Sequence, residues 1–187
     1  MQQYHYYDPV ILPIHPTVDE KRYIDDTMFA CVYVYNTLLQ EISDRWRFQN
    51  IITPTNILDY SAMVSEMKKR PNHAFLDYAP STPVRNSAFT LLRDFKAFFR
   101  TKSGASYPKP IDVNGDVFFR LSAVAFRLHK HPHSIVPQGA FRYGLHQSGI
   151  LIPGSGNFHD DLNGIDLMRS SSGNYAAKLL RGAPIDP

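Results

Sequence analysis

Apolar positions recur at three- and four-residue steps along three stretches of the chain and at two-residue steps along several shorter ones, so both helices and strands are expected. The longest helical stretch opens with Thr17-Val18-Asp19-Glu20, a capping box with Thr17 as N-cap and Glu20 at N3. Asp25 and Asp26 follow in its first turns, where the helix dipole favours acids. Ile24, Met28, Cys31, Val32, Tyr35, Leu38, Leu39, Ile42 and Trp46 form its apolar stripe, and the helix is expected to end before Thr53-Pro54. A second helix covers 55–70 and stops at Lys68-Lys69-Arg70-Pro71, basic residues at a helix C-terminus followed by proline. A third starts with Thr82 as N-cap and Pro83 at N1. Its buried face is read as Val84, Ala88, Leu91, Leu92, Phe95, Phe98 and Phe99.

The alternating runs lie outside this helical block. Residues 4–14 are aromatic and β-branched and predict a first strand, which Pro9 and Pro13 push towards an edge or a bulge. After Gly104, short β-type runs at 117–121, 124–128, 134–136, 140–143 and 149–152 are punctuated by Asn114-Gly115 and by Gly and Pro. From Ser170 the chain reads as a Ser/Gly-rich tail with a short helix from Asn174 to Leu180. The expected fold is therefore α+β: a small antiparallel β-barrel or sheet (1–16 and 111–169), an inserted three-helix region (17–110) and a tail (170–187).

Charge sharpens this picture. The net charge is only +3, but residues 1–60 carry four Lys/Arg against eight Asp/Glu, and residues 81–130 carry nine Lys/Arg against three Asp. Such asymmetry points to a polyanion partner for the basic segment more than the total does. On the third helix and its exit, Arg85, Arg93, Lys96, Arg100, Lys102 and Lys109 stand against a single acid, Asp94. A solvated amphipathic helix accounts for the same composition. The single cysteine, Cys31, sits in an apolar stripe, which excludes an intramolecular disulfide or a cysteine-cluster zinc site. The N-terminal MQQYHYYDP lacks the pattern of a signal peptide, and no apolar run is long enough to span a bilayer, so a cytoplasmic protein is expected.

Four pieces of the chain carry a resemblance to a family. A strand ends in a Pro-containing turn (Ile11 to Thr17). A helix contains Val34-Tyr35-Asn36-Thr37-Leu38-Leu39. A later helix reads Ser87-Ala88-Phe89 and, further on, Phe95-Lys96-Ala97-Phe98-Phe99-Arg100, and Tyr107-Pro108-Lys109 follows it. In this order they resemble, over 10–155, the N-terminal half of the transposon-encoded TnpB (OrfB) RNA-guided nucleases and the related compact type V CRISPR effectors. The resemblance implies a wedge β-barrel with an inserted helical recognition region that grips guide RNA and the guide–target duplex, sequence being read largely by base pairing. The family cuts with a separate RuvC-like domain that would lie beyond 187. Gly164-Ile165-Asp166-Leu167 resembles the opening strand of that domain, but a lone Asp cannot build a two-metal site, and Asn163-Gly164 favours a loop aspartate. The resemblance thus implies a nuclease-less relative, a recognition fragment or one part of a split effector.

Other chemistry is thinner. His129, His131 and His133 could share a strand face, with His146, His159, Asp160 and Asp161 further on, but Pro132 breaks the regularity and no zinc spacing is present. Gly154-Ser155-Gly156-Asn157 lacks the Lys-Ser/Thr of a phosphate-binding loop, and Ser170 to Ser172 have no positioned base. Tyr4, Tyr6, Tyr7 and Tyr107 are candidate platforms for stacked bases. The expected function is a non-catalytic RNA- or DNA-binding protein without cofactor, in which Lys96, Arg100, Lys102 and Lys109 contact phosphates, Arg85, Arg93, Arg120 and Arg127 support them, and Tyr107 stacks. The alternatives are a protein-interaction module, such as a phage or mobile-element inhibitor or adaptor that binds or competes with a separate effector protein, and a small metal-dependent hydrolase.

Overall fold

Residue 4 begins the first strand, and the final strand ends at residue 184. The computed structural model describes residues 4–49, 56–100, 104–128, 134–145, 149–153 and 162–184. The protein is α+β and divides into two units, a sheet unit (1–26 and 114–187) and a helical unit (27–113). The division falls within the first helix, α1 (Val18–Gln49).

In the sheet unit, β8 (Tyr175–Pro184) is the central strand. Two short strands from the start of the chain share one of its edges. β1 (Tyr4–Tyr6) pairs with it from Pro184 to Gly182, and β2 (Val10–Ile14) from Leu179 to Tyr175. On its other edge lies β7 (Leu162–Arg169), and β3 (Val117–Ser122) pairs with β7. A second, three-stranded sheet runs β4 (Phe126–Leu128), β5 (Ser134–Pro137), β6 (Ile150–Leu151). All pairings are antiparallel, and among the described residues neither sheet closes into a barrel. One face of the larger sheet is core, with Ile14, Val117, Phe119, Leu121, Ile165, Leu167, Ala177 and Leu179 buried.

The last two strands differ from expectation. Residues 174–180 form part of β8, not a helix at the start of a tail. Ala176, Ala177, Lys178, Leu179 and Leu180 suit a helix locally, but ladders on both edges fix them as a strand, which is tertiary override of a weak propensity. The Ser170–Asn174 stretch is the hairpin turn: Ser170 N donates to Asn174 O (2.9 Å), and Gly173 takes φ +82°, the left-handed region open to glycine. Asn163-Gly164 is not a turn either. The β7–β8 register shifts between Leu162 and Gly164, and a Cβ on Gly164 would stand 3.0 Å from Leu121 O, so the glycine serves a bulge and a close backbone approach.

Asp166 is therefore no loop aspartate. It sits in β7, 3% exposed, directly opposite Arg120 of β3, whose guanidinium donates from Nε to Oδ1 (2.6 Å) and from Nη2 to Oδ2 (2.8 Å). The expected strand at 140–143 is instead a 3-10 segment (Ala140–Tyr143), and the run at 124–128 begins in a 3-10 turn (Ala123–Ala125) and is strand only from Phe126 to Leu128.

The capping box forms as expected. Thr17 N donates to Glu20 Oε2 (2.6 Å) and Glu20 N to Thr17 Oγ1 (3.4 Å), while the second carboxylate oxygen of Glu20 accepts from Leu151 N (3.0 Å). From Ile24 to Ile42 the α1 stripe is buried as expected, but Trp46 is 41% exposed. In the helical unit, α2 (Ile57–Lys68) is capped by Asn56, whose side chain accepts from Asp59 N (2.9 Å). A 3-10 segment, Pro71–Asp77, leads to α3 (Ser81–Phe99). This third helix begins before the expected Thr82 cap, with Pro80 at the N-cap. Pro83 lies in the first turn, where its missing N–H leaves no bond unmade.

The Arg120–Asp166 pair yields a direct prediction. Arg120→Met leaves a buried carboxylate without its donor. Because the arginine side chain is 44% exposed, the expected loss is about 2 kcal/mol, below the ~3–5 kcal/mol of a fully buried pair. Arg127→Met, at an exposed position of β4, should change stability by less than about 0.5 kcal/mol. Urea midpoints of the two variants check this; equal midpoints would show that the pair contributes nothing.

Candidate nucleic-acid interface

The basic face of α3 follows from helical geometry. Val84, Ala88, Leu91, Leu92 and Phe95 turn inward and are buried. At ~100° per residue, Arg85, Arg93 and Lys96 then fall within about 80° of one another on the exposed side, spread over about 16 Å of axis. Arg100 continues this line at the C-cap. Among the described residues, no ion pair engages Arg85, Arg93, Lys96 or Arg100. The one acid of the helix points elsewhere: Asp94 Oδ2 accepts a hydrogen bond from the Tyr35 hydroxyl (2.8 Å). Burial first, and then this bond, push the Tyr35 pKa well up, so the phenol remains a donor.

The remaining expected phosphate ligands scatter. Lys109 is exposed on the extended segment after α3, next to buried Pro108, and Lys102 lies outside the described residues. Arg127 is exposed on β4 in the sheet unit. Arg120 is held by Asp166, which makes it a structural arginine. The basic stop of α2 is also engaged, Lys69 with Glu66 (2.7 Å) and Arg70 with Glu41.

Tyr107 is not the open stacking platform that its sequence context suggests, because its ring is already packed. Trp46 stacks on it (centroids 6.0 Å apart, 13° between planes), and Phe95 and Phe98 meet it edge-on at 5.6 and 5.3 Å. Its hydroxyl lies 2.7 Å from Ser43 Oγ, which itself donates to Leu39 O (2.6 Å), so Tyr107 is the donor to Ser43. Phe98 and Phe99, expected in the core, are not enclosed by it. Phe98 is half-buried and Phe99 is 49% exposed, because the helix ends here and this cluster forms the open end of the core. Tyr7 carries the Arg181 guanidinium over its ring at 5.0 Å; the side chains of Tyr4 and Tyr6 lie outside the described set.

Sequence reasoning missed Arg45 and Arg47. Both are exposed and without an ion pair among the described residues, and they flank Trp46 on the last turns of α1. The signal was present in Asp44-Arg45-Trp46-Arg47-Phe48, a basic–aromatic alternation where the apolar stripe ends.

Tyr35 and Asn36 each make a side-chain bond within the helical unit. Tyr35 bonds to Asp94, and the Asn36 side chain clamps the backbone of Ile111 in both directions, donating to its carbonyl (2.8 Å) and accepting from its N–H (2.8 Å). Cys31 is buried, and burial pushes its thiol pKa far up, which suits a core residue. Ser170 and Ser172 bond to each other (2.8 Å) in the β7–β8 turn. His129, His131, His133, His146, Gly154, Ser155, Gly156, Asn157, His159, Asp160 and Asp161 fall outside the described residues. Among the described residues no His/Cys/Asp/Glu group is arranged to hold a metal, and no helix is long and apolar enough to cross a membrane.

Tyr107→Phe removes only the bond to Ser43. It should lower stability by about 1 kcal/mol, since the ring stays in place. Thermal melts check this; an unchanged melting temperature would show that the hydroxyl pair contributes nothing. No protein-family model matches the chain, and no curated protein matches it in sequence.

Proposed function

We propose that the chain is a non-catalytic nucleic-acid-binding protein, similar to the recognition half of a TnpB-like effector, that uses the basic face of α3 on a phosphate backbone. The observation that carries this is the alignment of Arg85, Arg93, Lys96 and Arg100 along one exposed side, with no ion pair to any of them among the described residues, while Asp94 is engaged by Tyr35. Arginine gives bidentate phosphate contacts and lysine adds long-range charge. In this reading the sheet unit is the wedge-like domain, and the helices between β2 and β3 are the inserted recognition region. The partner is a guide RNA scaffold or an RNA–DNA duplex, held by backbone and shape, with sequence left to base pairing.

The modest total of +3 favours a second reading, a protein-interaction module in which the same face meets an acidic protein such as a separate effector. Nucleic acid that co-purifies at low salt supports the first reading; clean protein that ignores added RNA and DNA supports the second.

The decisive variant is Arg93→Glu/Lys96→Glu/Arg100→Glu. It reverses three exposed charges without touching the core, so its circular dichroism should match the parent. Affinity for structured RNA at ~50 mM salt should fall at least a hundredfold, and the salt slope should flatten by about 1 for each phosphate that is no longer neutralised. Parent-like binding by this variant sinks the assignment of the face.

A further inference from the structure

The aromatic cluster of the helical unit does not end in a closed core. Trp46 and Phe99 meet edge to face (6.3 Å, 83°), Tyr107 and Phe95 back them, and yet Trp46 stays 41% and Phe99 49% exposed. Two large aromatic side chains thus leave much of their surface to water at one place. Their neighbours in the chain are cationic. Arg45 and Arg47 flank Trp46, Arg100 follows Phe99, and Lys96 lies one turn before it, all exposed. The nearest acid of α1, Asp44, accepts from the Gln40 amide (2.9 Å to each carboxylate oxygen).

Partly exposed aromatic rings with arginine and lysine beside them in the chain suit an unpaired nucleotide: a base can stack on the exposed ring surface and the phosphate can meet the cations. A duplex has no free base face to offer, and an apolar protein segment would not call for this density of positive charge. We infer that the Trp46–Phe99 end of the helical unit is a stacking site for unpaired bases of a single-stranded nucleic acid, placed where the basic line of α3 ends. This rests on the nucleic-acid reading above and adds the substrate class: a single-stranded segment adjoining whatever backbone the α3 face holds.

Trp46 is the only tryptophan in the chain, so its emission reports the site directly. The probes are 12-nucleotide oligo(dT), oligo(rU) and an abasic sugar-phosphate strand of about the same length, at ~50 mM salt. Stacking predicts quenching of Trp46 by the base-bearing strands and little by the abasic one. Comparing dT with rU tells DNA from RNA as the source. Phe99→Ala should weaken oligo(dT) and oligo(rU) at least tenfold, with abasic binding unchanged. Since Phe99 also packs, Arg45→Gln/Arg47→Gln, at exposed positions, provides a second test and should weaken all three strands. Equal quenching and affinity with and without bases overturns the inference. If the α3 charge-reversal variant still loses RNA binding in that case, only the stacking site fails; if no strand binds at all, the nucleic-acid reading fails with it.

Discussion

Pairing along β8 is the constraint on which the sheet unit depends. A strand of this length can accept partners along both edges. It takes β1 and β2 in succession on one side and β7 on the other, and β7 in turn takes β3. The first described residues of the chain are thereby fixed to the last ones. Everything between β2 and β3 becomes an excursion from one sheet, which is why a helical unit of this size can be inserted in the sequence without interrupting the ladder. The same ladder sets Asp166 opposite Arg120. Charges that would be costly in a strand interior become a bidentate pair because register leaves each within reach of the other.

Local signals are legible in the sequence where local physics decides the outcome. The Thr17–Glu20 box, the α1 stripe and the buried positions of α3 follow from capping chemistry and the 3.6-residue period. The errors fall where a distant strand decides. Ala176 to Leu180 have no reason of their own to be extended. Asn163-Gly164 reads as a turn because turn chemistry and bulge chemistry use the same residues, and only the approach of Leu121 O separates them. The division of the β-rich half into two sheets is likewise beyond a sequence pattern that marks strands but not their partners.

The candidate site shows a related limit. The sequence names basic residues but not their engagement. Arg120 looks as available as Arg93, yet it is bound to a buried aspartate, whereas no ion pair engages Arg93 among the described residues. Asp94, the acid of α3, makes no ion pair among the described residues with the basic residues of the helix and instead accepts from the Tyr35 hydroxyl. The arginines beside Trp46 escape notice when the α1 stripe is taken to stay buried to its end. A helix whose apolar stripe outlasts its partner exposes aromatics there, and such a place is informative for function.

Surface cations in water attract a polyanion but do not orient it. A line of flexible side chains such as that proposed on α3 would gain counterion release from any phosphate backbone, would discriminate little between strands and would be weakened steeply by salt. Aromatic surface works differently. Stacking is short-ranged and insensitive to salt, and it demands a base that is already out of its helix. An interface that joins the two at the exposed end of the helical unit would hold a boundary between paired and unpaired nucleic acid better than either alone. The charged line would supply encounter rate and most of the affinity, and Trp46 and Phe99 would supply the preference for where along the strand the protein rests.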